Sequence, residues 1–355
     1  MAQTLFINAN LVLDGFALRH CTPEIAPHLT ALARDGASAP TGGRAVLASS
    51  TYPNHASLAT GVEPIRHGIY ANNTFTETGI RPAREVGARG MTFLDAARSL
   101  GLSTGVAVGD ANILGLVGAS RCDTHWPPGG VLPAGTPMVR GYAANAAPFA
   151  ALLEMLDAGA DVALCQLDNT DGLAHLYGPD SPEAKAGYSE ADALAGALVD
   201  RLRGGPRWGE TIVGIVSDHG QITADLSLPP IDLPGALARA GVEAEVIEEG
   251  SAALVRTPEI AAVERIVSYV DGVAGHFPFA PGVLYVHACP GRGFSTRKQM
   301  QRGIHGCPET TETVCVASGG HPALGRVAEA FAAAPPTSAT VPQILASAVG
   351  LSFPA

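Results

Sequence analysis

A doubly wound α/β fold with a mostly parallel sheet is the fold class this sequence predicts, and three observations predict it. Apolar runs of strand length alternate along the chain with helix-length segments, the order of a sheet covered by helices. Several of those runs are apolar almost throughout, as strands buried on both faces are. Of the 355 residues, 46% are hydrophobic and only 15% charged, enough apolar material for a large core.

The elements follow in order. Residues 5–13 are apolar except for Asn8 and Asn10 and run into Asp14-Gly15-Phe16, a strand and its closing turn. Residues 23–35 carry Ile25, Leu29 and Leu32 at helical spacing and stop at Gly36. In Ser49-Ser50-Thr51-Tyr52-Pro53-Asn54-His55, Pro53 suits a first helical turn and Gly61 a C-terminal cap, so Thr51 stands at the mouth of a helix. Residues 67–73 read as a loop, 93–100 as a helix, and 104–108 as a strand leading to Asp110. Residues 122–137 are rich in Pro and Gly and form a loop long enough to line something. A helix at 143–158 precedes a strand at 162–167, a loop carrying Asp168 to His175, and a helix at 189–203. A strand at 211–216 ends in Ser217-Asp218-His219-Gly220.

From residue 231 to 288 the pattern changes to a helix at 233–240, strands at 243–247 and 252–256, a helix at 260–270 and a strand at 283–286. The chain then returns through His305, a strand at 312–316 and a helix at 341–349. The expected organisation is a main α/β domain of residues 1–230 and 289–355 carrying a small α+β insert, 231–288.

The formal net charge of −11 argues against a nucleic-acid polymer or an acidic membrane as partner. Small anionic substrates remain open, because bound divalent cations reverse the local field. The six cysteines are scattered without a C-x-x-C pair, and Cys165 sits in an apolar run as a buried thiol would. Cys122 and His125 have ligand-like spacing but no second pair beside them. The N-terminus has no basic region followed by an apolar stretch, and no run of about 18 uncharged apolar residues occurs. A cytoplasmic protein is the expectation; nothing in the residues sets its oligomeric state.

Asp14, Asp171 and Asp218 each lie just beyond a predicted strand. In open α/β sheets, ligands bind outside the carboxyl ends of the strands, where such residues meet. His219 follows Asp218, His175 follows Asp171 by four residues, and His305 sits in a Gly-Ile-His-Gly turn. Taken alone, Thr51 reads as a helix N-cap, Asp14 as a strand-end turn, and Asp171 with His175 as a loop carboxylate and a surface imidazole; adjacent acidic and imidazole groups at a strand end, as in Asp218-His219-Gly220, are unusual. Taken together, three carboxylates, three imidazoles and a threonine suffice for two metal ions. Mixed nitrogen and oxygen donors favour zinc over magnesium, with manganese or iron as alternatives. A pair of ions clamps the attacking and leaving oxygens of an in-line displacement, and a metal is what a threonine hydroxyl needs to become a nucleophile.

The blocks Leu13-Asp14-Gly15-Phe16, Thr51-Tyr52-Pro53-Asn54-His55, His67-Gly68-Ile69 with Asn72, Asp171 to Pro179, Ser217-Asp218-His219-Gly220 and Gly303-Ile304-His305-Gly306 resemble the nucleotide pyrophosphatase/phosphodiesterase branch of the alkaline phosphatase superfamily. They stand in that family's order, and Trp126-Pro127 and Pro148-Phe149 echo it too. The resemblance implies an alkaline-phosphatase-like fold and a hydrolase of phosphodiester or pyrophosphate bonds in small, nucleotide-like substrates. It implies two zinc ions, one on Asp171, His175 and His305, the other on Asp14, Asp218, His219 and the Thr51 oxygen. It makes Thr51 the nucleophile of a phospho-threonine intermediate. Asn72, helped by the Tyr52 backbone N–H, would hold a phosphoryl oxygen. Tyr52, Trp126 and Tyr142 are the candidate substrate-contacting aromatics; Tyr52 and Tyr142 could equally be core packing.

His321, in Gly319-Gly320-His321-Pro322, competes with His305 for the last ligand position, and the Gly-Ile-His-Gly context favours His305. Two alternatives share the scaffold. A phosphotransferase or phosphomutase is one. A phosphonate hydrolase resembling phosphonoacetate hydrolase is the other, and it needs cations for a substrate carboxylate. The only lysines are Lys185 and Lys298, which leaves Arg66, Arg81 and Arg84 as candidates.

Overall fold

The first apolar run becomes the central strand, Ile7–Leu13, of a seven-stranded sheet. The structure, a computed structural model, describes residues 7–294 and 301–351. The first two positions of the run, Leu5 and Phe6, lie outside the described residues, as does Lys298.

Across the sheet the order is Ala37–Ser38, Cys315–Gly319, Thr211–Val216, Ile7–Leu13, Val162–Leu167, Thr104–Val108 and Thr124–Trp126. The central strand runs parallel to both neighbours, with Leu13 opposite Leu167 and Val12 opposite Val216. Cys315–Gly319 joins antiparallel. Every residue of Val162–Leu167 and of Thr211–Val216 is buried, which is why these strands read as unbroken apolar runs. On one face Leu11, Leu13, Cys165 and Leu167 share a core with Leu29 and Leu198 of helices Pro27–Asp35 and Pro182–Arg203. On the other, Val106, Val108, Val162 and Leu164 pack with Ala56, Ala59, Phe93 and Leu94 of helices Thr51–Thr60 and Phe93–Ser99. The sheet is therefore doubly wound, with the strand ends free to carry chemistry. Among the described residues no helix is long and apolar enough to cross a membrane.

Helix Pro27–Asp35 has no side-chain cap of its own; Asp192, from the neighbouring helix, fills that role. Its buried carboxylate accepts His28 N at 3.1 Å and Leu29 N at 2.7 Å. Asp192→Ala leaves two helix N–H groups without their acceptor, that of Leu29 in the core, and should cost about 2–3 kcal/mol, read from urea unfolding. A loss under about 0.5 kcal/mol would mean that water or a neighbour caps the helix instead.

Several local expectations change. Residues 168–175, expected as a loop, belong to helix Asn169–Tyr177. Its propensity is modest, and it is held by burial of Asn169 to Gly172 and by packing on helix Pro182–Arg203, where a Cβ at Gly187 would come within 2.7 Å of Leu173 Cδ1. Within the Pro- and Gly-rich loop, Thr124–Trp126 forms the edge strand beside Thr104–Val108. The expected strand at 312–316 is instead Glu312–Thr313 on a separate ribbon and Cys315–Gly319 in the main sheet.

Residues 245–288 build a second, four-stranded antiparallel sheet in the order Glu245–Glu249, Ala252–Arg256, Val283–Ala288, Val273–Ala280. Val273–Ala280 is not legible in sequence: it is an edge strand with two register shifts and contains Pro278, which an edge tolerates. Helix Leu324–Ala333, absent from the sequence-based outline, packs Val327 and Phe331 against the edge of the main sheet. All six cysteines are unpaired, and burial raises the Cys165 thiol above its usual range.

Candidate metal centre and active site

Thr51 is the first residue of helix Thr51–Thr60, not its N-cap; Ser50 holds the cap position in an extended conformation and makes no side-chain cap bond. Gly61 ends the helix in the left-handed region, φ +70°, as a C-terminal glycine does. All ten helical residues are buried. Asn54 pins the approach to the helix, accepting Val46 N at 2.7 Å and donating to Ser50 O at 2.9 Å. His55 Nδ1 lies 2.8 Å from Thr51 O. Thr51 is thus held by a rigid segment, with its hydroxyl 3.2 Å from His219 Nε2.

Asp14 and Asp218 stand beyond the carboxyl ends of adjacent parallel strands, with His219 next in the chain. Asp171 and His175 sit one turn apart on helix Asn169–Tyr177, so the i,i+4 spacing presents both on one face. His305 follows the short strand Gly303–Ile304, paired with Ile222–Thr223. Gly15 permits the close approach of these parts: at φ +69°, a Cβ there would lie 2.9 Å from Asp171 Cα.

The side chains form two triads, Asp171 with His175 and His305, and Asp14 with Asp218 and His219. Within each triad, one donor atom per residue lies within 4.8 Å of the others, and all six residues are buried. The triads adjoin: the His219 and His305 rings stack at 4.0 Å between centroids.

Each imidazole is oriented from behind. Nδ1 of His175 lies 2.7 Å from Gly303 O, that of His219 3.1 Å from Gly220 O, and that of His305 3.1 Å from Ser49 O. Donation from Nδ1–H leaves the Nε2 lone pair facing the cluster, that of His219 beside the Thr51 hydroxyl. The carboxylates are tied on one oxygen. Asp14 Oδ2 accepts Gln166 Nε2 at 2.7 Å, Asp171 Oδ1 accepts Gln221 Nε2 at 2.5 Å, and Asp218 Oδ1 accepts Gly15 N at 3.1 Å and His219 N at 2.9 Å. Asp14 Oδ1 and Asp218 Oδ2 are buried without a hydrogen-bond partner among the described residues.

The electrostatics carry the same message. Burial and the neighbouring Asp218, Asp171 and Asp168 push the Asp14 carboxyl well above its usual range. Burial also pushes Asp168 up, and it holds the His305 imidazole well below its ordinary value, helped by His219 and His175. Burial opposes ionisation of Asp171, yet His175 and His305 hold that carboxyl below its usual range. Orphaned carboxylate oxygens crowded beside lone-pair nitrogens fit divalent cations, because cations remove the repulsion and satisfy both kinds of donor.

The triad of Asp171, His175 and His305 opens on a cavity of about 960 Å³, lined also by Thr51, Tyr52, Asn72, Tyr142 and Glu249 among others; the other triad meets it through the Thr51 hydroxyl, 3.2 Å from His219 Nε2. Tyr52 N donates to Asn72 Oδ1 at 3.2 Å, so that N–H is not available to a substrate as expected. Instead it orients the Asn72 amide and leaves Nδ2 as the donor. Asn72 is also held by its own N–H, which donates to Glu249 Oε2 at 2.9 Å. Burial pushes Glu249, the last residue of strand Glu245–Glu249, up to about 7. The Tyr52 hydroxyl donates to Asp110 Oδ2 at 3.0 Å.

Thr51, Asn72, Tyr52, Tyr142 and the metal-type residues therefore converge, whereas Trp126 does not. It lies on the edge strand, packs against the main core, and is not among the described residues lining the cavity. His321 is far from the triads: its N–H donates to Thr211 O at 3.2 Å, at the end of Thr211–Val216 opposite Asp218. Arg66, Arg81 and Arg84 do not line the cavity, and Arg81 pairs with Glu85 at 2.8 Å. Arg140, not foreseen, does line it, with Nη1 3.7 Å from Asp171 Oδ2. The supporting Gln166, Gln221, Asp110, Asp168 and Glu249 were also not foreseen. Gln166 alone carries a sequence signal, as one amide in a buried apolar strand.

In overall fold the protein is similar to an inactive variant of murine ectonucleotide pyrophosphatase/phosphodiesterase 5 in complex with AMP, with a TM-score of 0.76 and 17% identity over 99% of this chain and 96% of that one. It is likewise similar to phosphonoacetate hydrolase from Sinorhizobium meliloti 1021 in complex with phosphonoformate, with a TM-score of 0.74 and 18% identity over 98% and 96% of the two chains. At such identities the likeness establishes the fold, which is that of alkaline-phosphatase-like enzymes. No curated protein sequence matches the chain. Residues 9–274 match the family model of the type I phosphodiesterase / nucleotide pyrophosphatase family. With three quarters of its length matched, the chain belongs to the type I phosphodiesterase / nucleotide pyrophosphatase family, metal-dependent hydrolases of phosphate esters.

Proposed function

We propose that the protein hydrolyses phosphodiester or pyrophosphate bonds of small nucleotide-type substrates through a phosphorylated Thr51. The observation that carries this reading is the adjacency of two buried Asp/His triads with the Thr51 hydroxyl at the edge of one. Asp171, His175 and His305 would hold one ion, and Asp14, Asp218, His219 and the Thr51 oxygen the other. The mixed donor set favours zinc, with manganese or iron as rivals. Bound ions would neutralise phosphoryl charge and favour the alkoxide form of the threonine.

The residues then act as follows. Thr51 Oγ attacks phosphorus in line, and the bond from phosphorus to the leaving oxygen breaks. Asn72 Nδ2, set by the Tyr52 N–H and supported through the Glu249 contact, donates to a non-bridging oxygen. Tyr52 and Tyr142 offer aromatic surface to the group that stays on phosphorus. Water then attacks the phospho-threonine, releasing the phosphorylated product and returning the hydroxyl.

Arg140 is the observation that keeps a second reading alive, cleavage of a carboxylate-bearing phosphonate. Elemental analysis of purified protein, with a panel of monoester, diester, pyrophosphate and phosphonoacetate substrates, tests both. The expected result is two equivalents of zinc-type metal and kcat/KM for a diester or pyrophosphate at least about tenfold above the others. Turnover of phosphonoacetate alone would overturn the first reading in favour of the second, and turnover of none would overturn both.

A further inference from the structure

Met138–Val139 and Tyr142–Ala143 pair as an antiparallel hairpin in which Val139 faces Tyr142, so Arg140 and Gly141 form a two-residue turn. Their φ angles are +52° and +94°. Positive φ at both central residues defines the tight hairpin turn that favours Asn-Gly, and a long side chain at its first position is disfavoured. Among the described residues, Arg140 is the one non-glycine with positive φ. A residue that local turn chemistry would not select therefore occupies the tip of this hairpin.

That residue reaches the cavity. Arg140 is the one arginine or lysine among the described residues lining it. Its side chain is 25% exposed, and its approach to Asp171 Oδ2, 3.7 Å, is longer than a hydrogen bond. Among the described residues the guanidinium makes no hydrogen bond, and its ion pair with Asp171 engages Nη1 alone, so N–H donors remain for a ligand. Tyr142, on the same hairpin, lines the same cavity. A planar fork of donors beside a phosphoryl site suits an oxyanion taken in bidentate fashion.

We propose that Arg140 is a specificity-determining residue that binds a second oxyanion of the substrate, a phosphate or carboxylate group lying next to the phosphoryl group that reacts. The assignment deepens the phosphoryl-transfer reading and rests on it for the place of the reacting group. Within that reading it favours a pyrophosphate, with two neighbouring anionic groups, over a simple diester.

Binding of three non-nucleotide probes to the purified protein with its native metal content tests this by calorimetry. Methylenediphosphonate carries a second phosphonate, phosphonoacetate a carboxylate, and methylphosphonate neither. In Arg140→Ala, affinity for one or both doubly anionic probes should fall about 10- to 100-fold, and that for methylphosphonate by less than about threefold. The probe that suffers more identifies the oxyanion. Equal losses on all three probes, or none, would overturn the assignment. Arg140→Asn adds a readout independent of ligands: Asn suits the turn, so its thermal midpoint should rise. A fall would show that the arginine serves the fold through Asp171 and would also overturn the assignment. If the probes discriminate as expected while the wild type turns over no phosphorus ester, the proposed reaction fails and the anion site stands.

Discussion

Thr51→Ala should abolish steady turnover, lowering kcat by about 10⁴-fold or more, while metal content and folding stay near those of the wild type. The methyl side chain fits where Thr51 stands, because no backbone group depends on its hydroxyl; among the described residues its hydrogen-bond partner is His219 Nε2 at 3.2 Å. The six other ligand-type residues keep their backing contacts, so ion binding should persist. A nitrophenyl phosphodiester assay with metal analysis of the same sample checks both halves. Residual kcat within about tenfold of wild type would remove Thr51 from the nucleophile's role. Thr51→Ser should retain turnover, since it keeps the oxygen and loses only the methyl that stiffens its rotamer.

Stripping metal should have the other large effect, and it should change stability as well as rate. Prolonged chelation is expected to eliminate activity, and added zinc to restore it. Ions at about 100 to 1,000 times their dissociation constant stabilise a folded protein by about 3–4 kcal/mol, so the thermal midpoint should fall on chelation. The sign of the pH dependence follows from the carboxyls. Those of Asp14 and Asp168 are raised in the folded, metal-free protein, chiefly by burial. A raised carboxyl pKa favours the folded state at low pH and loses that benefit as pH rises through the folded value. Ligands also bind ions better once deprotonated. Both effects make chelation more destabilising near about pH 8 than near about pH 5. An equal or smaller drop at the higher pH would contradict a cation-compensated carboxylate cluster.

The parts of the fold that could be read from sequence were those governed by local rules. The strands 104–108, 162–167 and 211–216 are apolar because both their faces are covered, and the structure places them at Thr104–Val108, Val162–Leu167 and Thr211–Val216. Helix Asn169–Tyr177 escaped because tertiary packing overrides the weak propensity of Asn-Thr-Asp-Gly. Strand Val273–Ala280 escaped because its edge position tolerates a proline and irregular register. In the cavity, the metal-type residues were legible because carboxylates and imidazoles at strand ends are chemically conspicuous. Arg140, Glu249 and Gln221 were not. Their significance lies in what they face, Asp171, Asn72 and again Asp171, across separations that no local pattern encodes. Trp126 illustrates the reverse: its motif was visible, but the edge strand turns it toward the core.

The contact between His305 and Ser49 spans 256 residues, and that between Gly15 and Asp218 spans 203. Closing loops of that size precedes any gain from the contacts themselves and slows assembly. On the ribosome, the threonine and five of the six triad side chains emerge well before the last imidazole. A chain stalled or cut before Gly303 would therefore carry the Asp14, Asp218 and His219 set complete, and Asp171 and His175 without their third member.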